Sequence, residues 1–214
     1  MARQVLPGYT FERNIARYRS SATGQFVARA RIAELMESQV NGAQDRLAQI
    51  VQGVADKSIA PGVAQEMARD ELRRLSLTNA ALGKGGLDAL DFRDYGRVGN
   101  QLRDSYQRMT NMLEGLENGT VTLPQALRRI EGYTLEARNQ FFAAQRAAAQ
   151  QSGRAMEERR ILHAKESCPS CLEYAAMGWQ PIGVLPMIGT ASECGAYCLC
   201  TMETREAQQE RMAA

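Results

Sequence analysis

Residues 122–148 read TLPQALRRIEGYTLEARNQFFAAQRAA, and this stretch decides the fold. Thr122 offers a hydroxyl just ahead of a helix, Pro124 falls in the first turn, and Gln125 follows the threonine by three residues, the spacing of a reciprocal cap. Leu127, Ile130, Thr134, Ala137, Phe141, Ala144 and Ala148 then recur at steps of three and four. That period belongs to a helix with one face against a neighbour. The stripe predicts a helix that continues to about His163. Its small residues allow close approach, while Phe141 and Phe142 supply bulk. Two roles are open to these rings, the seam of an intramolecular bundle or partner-binding groove fillers.

The same period extends toward the N-terminus. A first helix is predicted from about Phe26 to Val54, with Ile32, Met36, Val40, Ala43, Leu47, Ile50 and Val54 on one face and a break or kink at Asn41-Gly42. A second starts near Pro61, places Val63, Met67 and Leu75 inward, and ends near Ala80. Gly83-Lys84-Gly85-Gly86 reads as a loop. It lacks the glycine spacing, the Ser or Thr after lysine and the buried strand of a phosphate-binding loop. A third helix runs from about Phe92 to Glu117 on Val98, Leu102, Met109, Met112, Leu113 and Leu116, and Asn118-Gly119 ends it. The predicted fold is mainly α: an elongated bundle of about four helices over residues 23–164, after an N-terminal arm over 1–22. A cysteine-rich, zinc-knuckle-like segment covers 165–205, and a tail covers 206–214.

Composition narrows the function less. No apolar stretch among the 214 residues approaches a membrane span. Three of the 26 basic residues are lysines, Lys57, Lys84 and Lys165, so 23 are arginines, suited to bidentate contacts with carboxylate or phosphate. The 24 acidic residues are interspersed with them, which reads as a solvated, salt-bridged helical surface.

All five cysteines fall after residue 167: Cys168, Cys171, Cys194, Cys198 and Cys200. A CxxC pair bends the backbone so that two thiolates meet one tetrahedral ion, and a second group downstream can complete the shell. Zinc is therefore the expected cofactor, held by four of the five. Cys168 and Cys171 form one pair; Cys194 with Cys198 is the first choice for the other, Cys194 with Cys200 the next, and Cys198 with Cys200 the last, because one intervening residue makes a strained chelate around a tetrahedral ion. Disulfides would leave one thiol over, and Met1 to Leu6 has no secretory character, so a reducing cytoplasm is expected. His163, the only histidine, is read as a helix-ending residue at the negative end of the dipole rather than as a ligand.

Between the cysteine groups, Gly178-Trp179-Gln180-Pro181-Ile182-Gly183 and Leu185-Pro186-Met187-Ile188-Gly189 predict an irregular loop or short hairpin. Such a loop has no core of its own, and a metal at both ends would supply the cross-link. Trp179 is the lid of that segment or, exposed, a partner-binding residue. No catalytic residues are predicted: a single histidine leaves no serine or cysteine triad with a base, and Glu157-Glu158 reads as surface pairs on a helix. Excess cysteine ligands favour a closed structural site over one open to water. A nucleic-acid-binding zinc protein is the alternative, but from Cys168 to Cys200 there is no Lys or Arg, while Glu173 and Glu193 are acidic.

The run Glu158-Arg159-Arg160-Ile161-Leu162, then Ser167-Cys168-Pro169-Ser170-Cys171, then Ala175 to Gly183, and finally Cys194 to Cys200, resembles the C-terminal part of tailed-bacteriophage minor head proteins, the portal-associated head-morphogenesis family. In that family a CPxC pair is followed by a Pro- and Gly-rich loop and a group ending in Cys-x-Cys. Histidine or other residues often stand where this chain has Cys194-Gly195-Ala196-Tyr197. The likeness covers about residues 55–205 and is specific only in the last part. It implies a structural, non-catalytic virion protein, made in the host cytoplasm and placed in the head or neck. The implied partners are portal protein, major capsid protein or other virion proteins, in multiple copies, with nonspecific contact to packaged duplex DNA and none to membrane.

Overall fold

The cap at Thr122 forms as its sequence predicts. Thr122 Oγ1 accepts from the Gln125 amide, and Gln125 Oε1 accepts from the Thr122 amide. It opens helix α4, Leu123–Gln151, in the computed structural model, which describes residues 8–13, 15 and 17–207. Three other long helices precede it: α1 Arg29–Ala55, α2 Pro61–Lys84 and α3 Phe92–Glu117. α2 is the central element, packed on α1, α3 and α4. Residues 1–7, which include the Met1–Leu6 stretch behind the expectation of a reducing cytoplasm, and residues 208–214 of the tail lie outside the described residues. Among the described residues no helix is long and apolar enough to cross a membrane.

The predicted face of α1 is buried throughout, from Ile32 to Val54, and the helix runs through Asn41-Gly42 without a break. A mid-helix glycine costs about 1 kcal/mol. Here Val40 and Ala43 are sealed in the core on either side of it, which outweighs that cost. Two predicted inner positions of α2 are corrected, since Val63 and Met67 are exposed while Ala64, Ala68, Leu72 and Leu75 face inward. In α4, Leu127 is likewise exposed and Ala126 buried. In both helices the small neighbour takes the inward place.

The Gly83-Lys84-Gly85-Gly86 loop is also corrected, because α2 continues through Lys84 before Gly85 caps it in the left-handed conformation at φ 96°. Gly83 lies where α2 crosses α4: a Cβ there would sit 2.2 Å from the Phe141 carbonyl oxygen. Lys84 is buried, and its Nζ donates to Asp91 Oδ2 at 2.8 Å and to Asp94. Those two aspartates form a second reciprocal cap at the start of α3.

α4 ends at Gln151, short of His163, and residues after it form strand β3, Met156–Ile161. Its residues alternate between buried and half-buried, so Met156, Glu158 and Arg160 point inward. The helical reading of Glu157-Glu158 fails here because charged side chains occupy the inward positions, hiding the apolar alternation that marks a strand. β3 lies at the centre of an antiparallel sheet ordered β4-β3-β5, with β4 at Gln180–Pro181 and β5 at Thr201–Glu206. The segment read as a tail thus begins inside β5. A short helix α5, Pro169–Ala176, carries the first cysteine pair.

The expected N-terminal arm contains a hairpin, β1 Tyr9–Glu12 paired with β2 Arg17–Ser20. It is tied to the body by Tyr18, whose hydroxyl donates to the Leu82 carbonyl at 2.7 Å. Phe141 and Phe142, each 4% exposed, meet edge to face within a core shared by α1, α2, α4 and the cysteine segment.

Candidate metal centre

Cys168 stands at the N-cap of α5 and Cys171 one turn inside it, so the CxxC spacing presents both thiols from the start of one helix. Cys194 and Cys198 flank a single 3-10 turn at Gly195–Tyr197, and Cys200 directly precedes β5. The two cysteine groups meet. Sγ separations are 3.6 Å for Cys168–Cys194, 3.7 Å for Cys171–Cys194 and 3.6 Å for Cys171–Cys198. A disulfide needs about 2.05 Å. Two thiolates on one tetrahedral ion with bonds of about 2.3 Å lie about 3.8 Å apart. All five cysteines are free, and these three separations are those of metal ligands.

The thiols fall into two trios within 4.8 Å, Cys168 with Cys171 and Cys194, and Cys171 with Cys198 and Cys200. Cys171, 1% exposed, belongs to both and is the pivot of the cluster. The Ser170 hydroxyl and nearby backbone amides bring the Cys168 thiol down to about 6. Burial, then hydrogen bonding with Cys168, Cys200 and Cys198, pushes Cys171 up to about 12. Cys194 is raised by burial to about 12. Burial works against ionisation of Cys198, yet hydrogen bonds from the Cys200 backbone and neighbouring thiols outweigh it and lower that group. Crowded thiols cannot all ionise side by side. A divalent cation among them reverses that balance, because a coordinating thiol is deprotonated outright. The cluster could therefore hold a metal ion.

Five side chains from α4 and β3 hold the loop that carries the second cysteine group. Arg138 Nη2 of α4 donates to the carbonyls of Cys200 at 2.6 Å and Cys198 at 3.3 Å. Asn139 reaches the Ile188 carbonyl and Arg146 the Leu185 carbonyl. Arg160 of β3 donates to the Pro186 carbonyl and places Nη1 4.0 Å from Cys198 Sγ. Glu158, fully buried, pairs with Arg146 at 2.9 Å and accepts from the Gly183 amide. With Leu185 and Ile188 also buried, the loop has an anchorage that its sequence conceals. Buried arginines and glutamates look like surface charges in a sequence, and nothing in the local pattern sets them apart.

The remaining expected residues lie elsewhere. His163 follows β3 and its Nε2 contacts Thr201 Oγ1 at 2.9 Å. It neither ends a helix nor joins either trio. Trp179 lies against the sheet rather than over the thiols, with the guanidinium carbons of Arg205 and Arg159 at 4.0 and 4.6 Å from its ring. Those arginines pair in turn with Glu157 and Glu203.

The thiol cluster and the helical body beneath it define a class: a mainly α protein with a C-terminal cysteine clasp able to hold a metal ion. No protein-family model matches the chain, and no curated protein or solved structure is significantly similar to it.

Proposed function

We propose that the cluster holds one structural zinc ion through Cys168, Cys171, Cys194 and Cys198, and that the protein is a non-catalytic component of a tailed-phage head. The convergence of the two cysteine groups at ligand spacing, from opposite ends of a pinned loop, carries the metal reading. Zinc suits an all-thiolate tetrahedral site. When bound, it cross-links α5 to the turn before β5. Four thiolates on a dication leave excess negative charge, and the buried guanidinium groups of Arg138 and Arg160 offset it. The cluster has more sulfur ligands than a tetrahedral ion needs, so no position is reserved for water.

The phage reading is supported by the likeness of residues 158–200 to portal-associated minor head proteins. In this account the helices make lateral contacts with portal or capsid subunits, and the clasp fixes a docking loop. Direct DNA reading by the clasp is disfavoured: the arginines nearest the thiols, Arg138 and Arg160, are buried and bonded to loop carbonyls. The test is electron imaging of particles carrying a labelled copy. Label at the head or neck of mature or assembling particles is the predicted result, and its restriction to unassembled protein would contradict the proposal.

A further inference from the structure

The sheet order leaves β5 with a neighbour on one side only. Among the described residues, its backbone makes no hydrogen bond to other backbone groups apart from its pairing with β3. Thr201, Met202, Glu203 and Thr204 all line one groove of about 1110 Å³. Successive strand residues point to opposite faces, so four in a row border one groove only where it follows the strand's edge. The groove thus follows the unpaired side of β5 and, at the Thr201 end, passes round to Ile161 and His163 at the end of β3.

Its far wall is α1. Ala33, Ser38 and Gly42 keep that wall low, and Phe141 and Phe142 lie at the floor. The lining is acidic. Glu34, Glu37, Asp45 and Glu203 stand against Arg29 and Arg138, and Arg138 is already committed to Glu37 and to the Cys198 and Cys200 carbonyls. The ion-pair partners of Glu34 and Glu203, Arg31 and Arg159, are not part of the lining, and Asp45 has no ion pair among the described residues.

From this geometry we infer that the groove receives an extended, basic segment of a partner protein, which adds to β5 as a further strand. A free strand edge recognises backbone, alternate side chains supply specificity, and a six-residue strand spans about 20 Å. Apolar side chains on one face of the segment meet the exposed Leu199, above the buried ring edges of Phe141 and Phe142 at the floor, and Lys or Arg side chains meet the carboxylates. This goes beyond the zinc reading and does not depend on it.

The test is selection of random linear peptides of about twelve residues, displayed on phage, against the purified full-length protein. Enriched sequences are then measured by fluorescence anisotropy. The inference predicts sequences that alternate apolar with polar residues and carry Lys or Arg. Binding should weaken at least about tenfold when alternate peptide amides are N-methylated or when Ser38→Trp fills the groove, and Val184→Ser should leave it unchanged. In the unaltered protein, bound peptide should slow amide exchange at Thr201–Glu206, a readout independent of any variant's folding. Recovery of no binder, apolar positions at helical spacing, or binding without protection of β5 would overturn it.

Discussion

Arg160 joins the clasp to the body: one nitrogen holds the Pro186 carbonyl and the other approaches Cys198 Sγ. Removing a side chain that orients a metal ligand lowers metal affinity about 10- to 100-fold. Arg160→Leu is therefore expected to weaken zinc binding by at least about tenfold in competition with a chromogenic chelator, while helical circular dichroism is retained. Unchanged affinity would show that Arg160 serves the loop alone. A second residue-scale prediction concerns acid. The hydrogen bond from Lys84 Nζ, helped by the Asp94 amide, holds the Asp91 carboxyl well below the usual carboxylate range. A depressed carboxylate contributes stability that is fully present above its unfolded value, near 4, and is lost as pH falls toward its folded value. Urea midpoints should thus fall between about pH 4 and pH 2 more steeply in the unaltered protein than in Asp91→Asn. Parallel curves would remove Asp91 from the account.

At the scale of elements, the crossing of α2 over α4 depends on Gly83. A Cβ there meets the Phe141 carbonyl oxygen at 2.2 Å and the Ala144 Cβ at 3.0 Å. Gly83→Ala gains helix propensity worth about 1 kcal/mol but forces two backbones apart, at an overpacking cost of about 1–3 kcal/mol. Net destabilisation is expected in urea unfolding; stabilisation would mean that the crossing relaxes freely. The four helices were legible because their apolar residues recur at helical spacing and their caps are written in Thr122, Pro61 and Asn118-Gly119. Strand β3 was not, since Glu158 and Arg160 occupy its inward positions and find partners only in the folded molecule, on α4 and in the loop. The cysteine spacing announced a clasp, whereas its anchors Arg138, Asn139 and Arg146 sit on a helix that reads as an amphipathic seam.

For the whole molecule, the clasp shares one of two core clusters with the bundle, but the two differ in what holds them. Leu75, Leu82, Phe141 and Phe142 pack with Leu185, Ile188 and Met202, so the middle of the loop stays anchored by apolar burial and by α4. The N-terminal end of α5 and the turn around Cys194 depend on the thiol cluster. Chelation should therefore speed amide exchange at Cys168–Gly178 and Ser192–Cys198 while leaving Gly183–Ile188 and the bundle largely protected. Uniform loosening would show that metal and body fold as one unit. The most direct measurement is elemental analysis of the purified full-length protein together with a count of its free thiols after chelation. The account predicts about one zinc per chain, no disulfide, and loss of the metal in Cys171→Ser. Metal-free protein with its cysteines oxidised in pairs would contradict it.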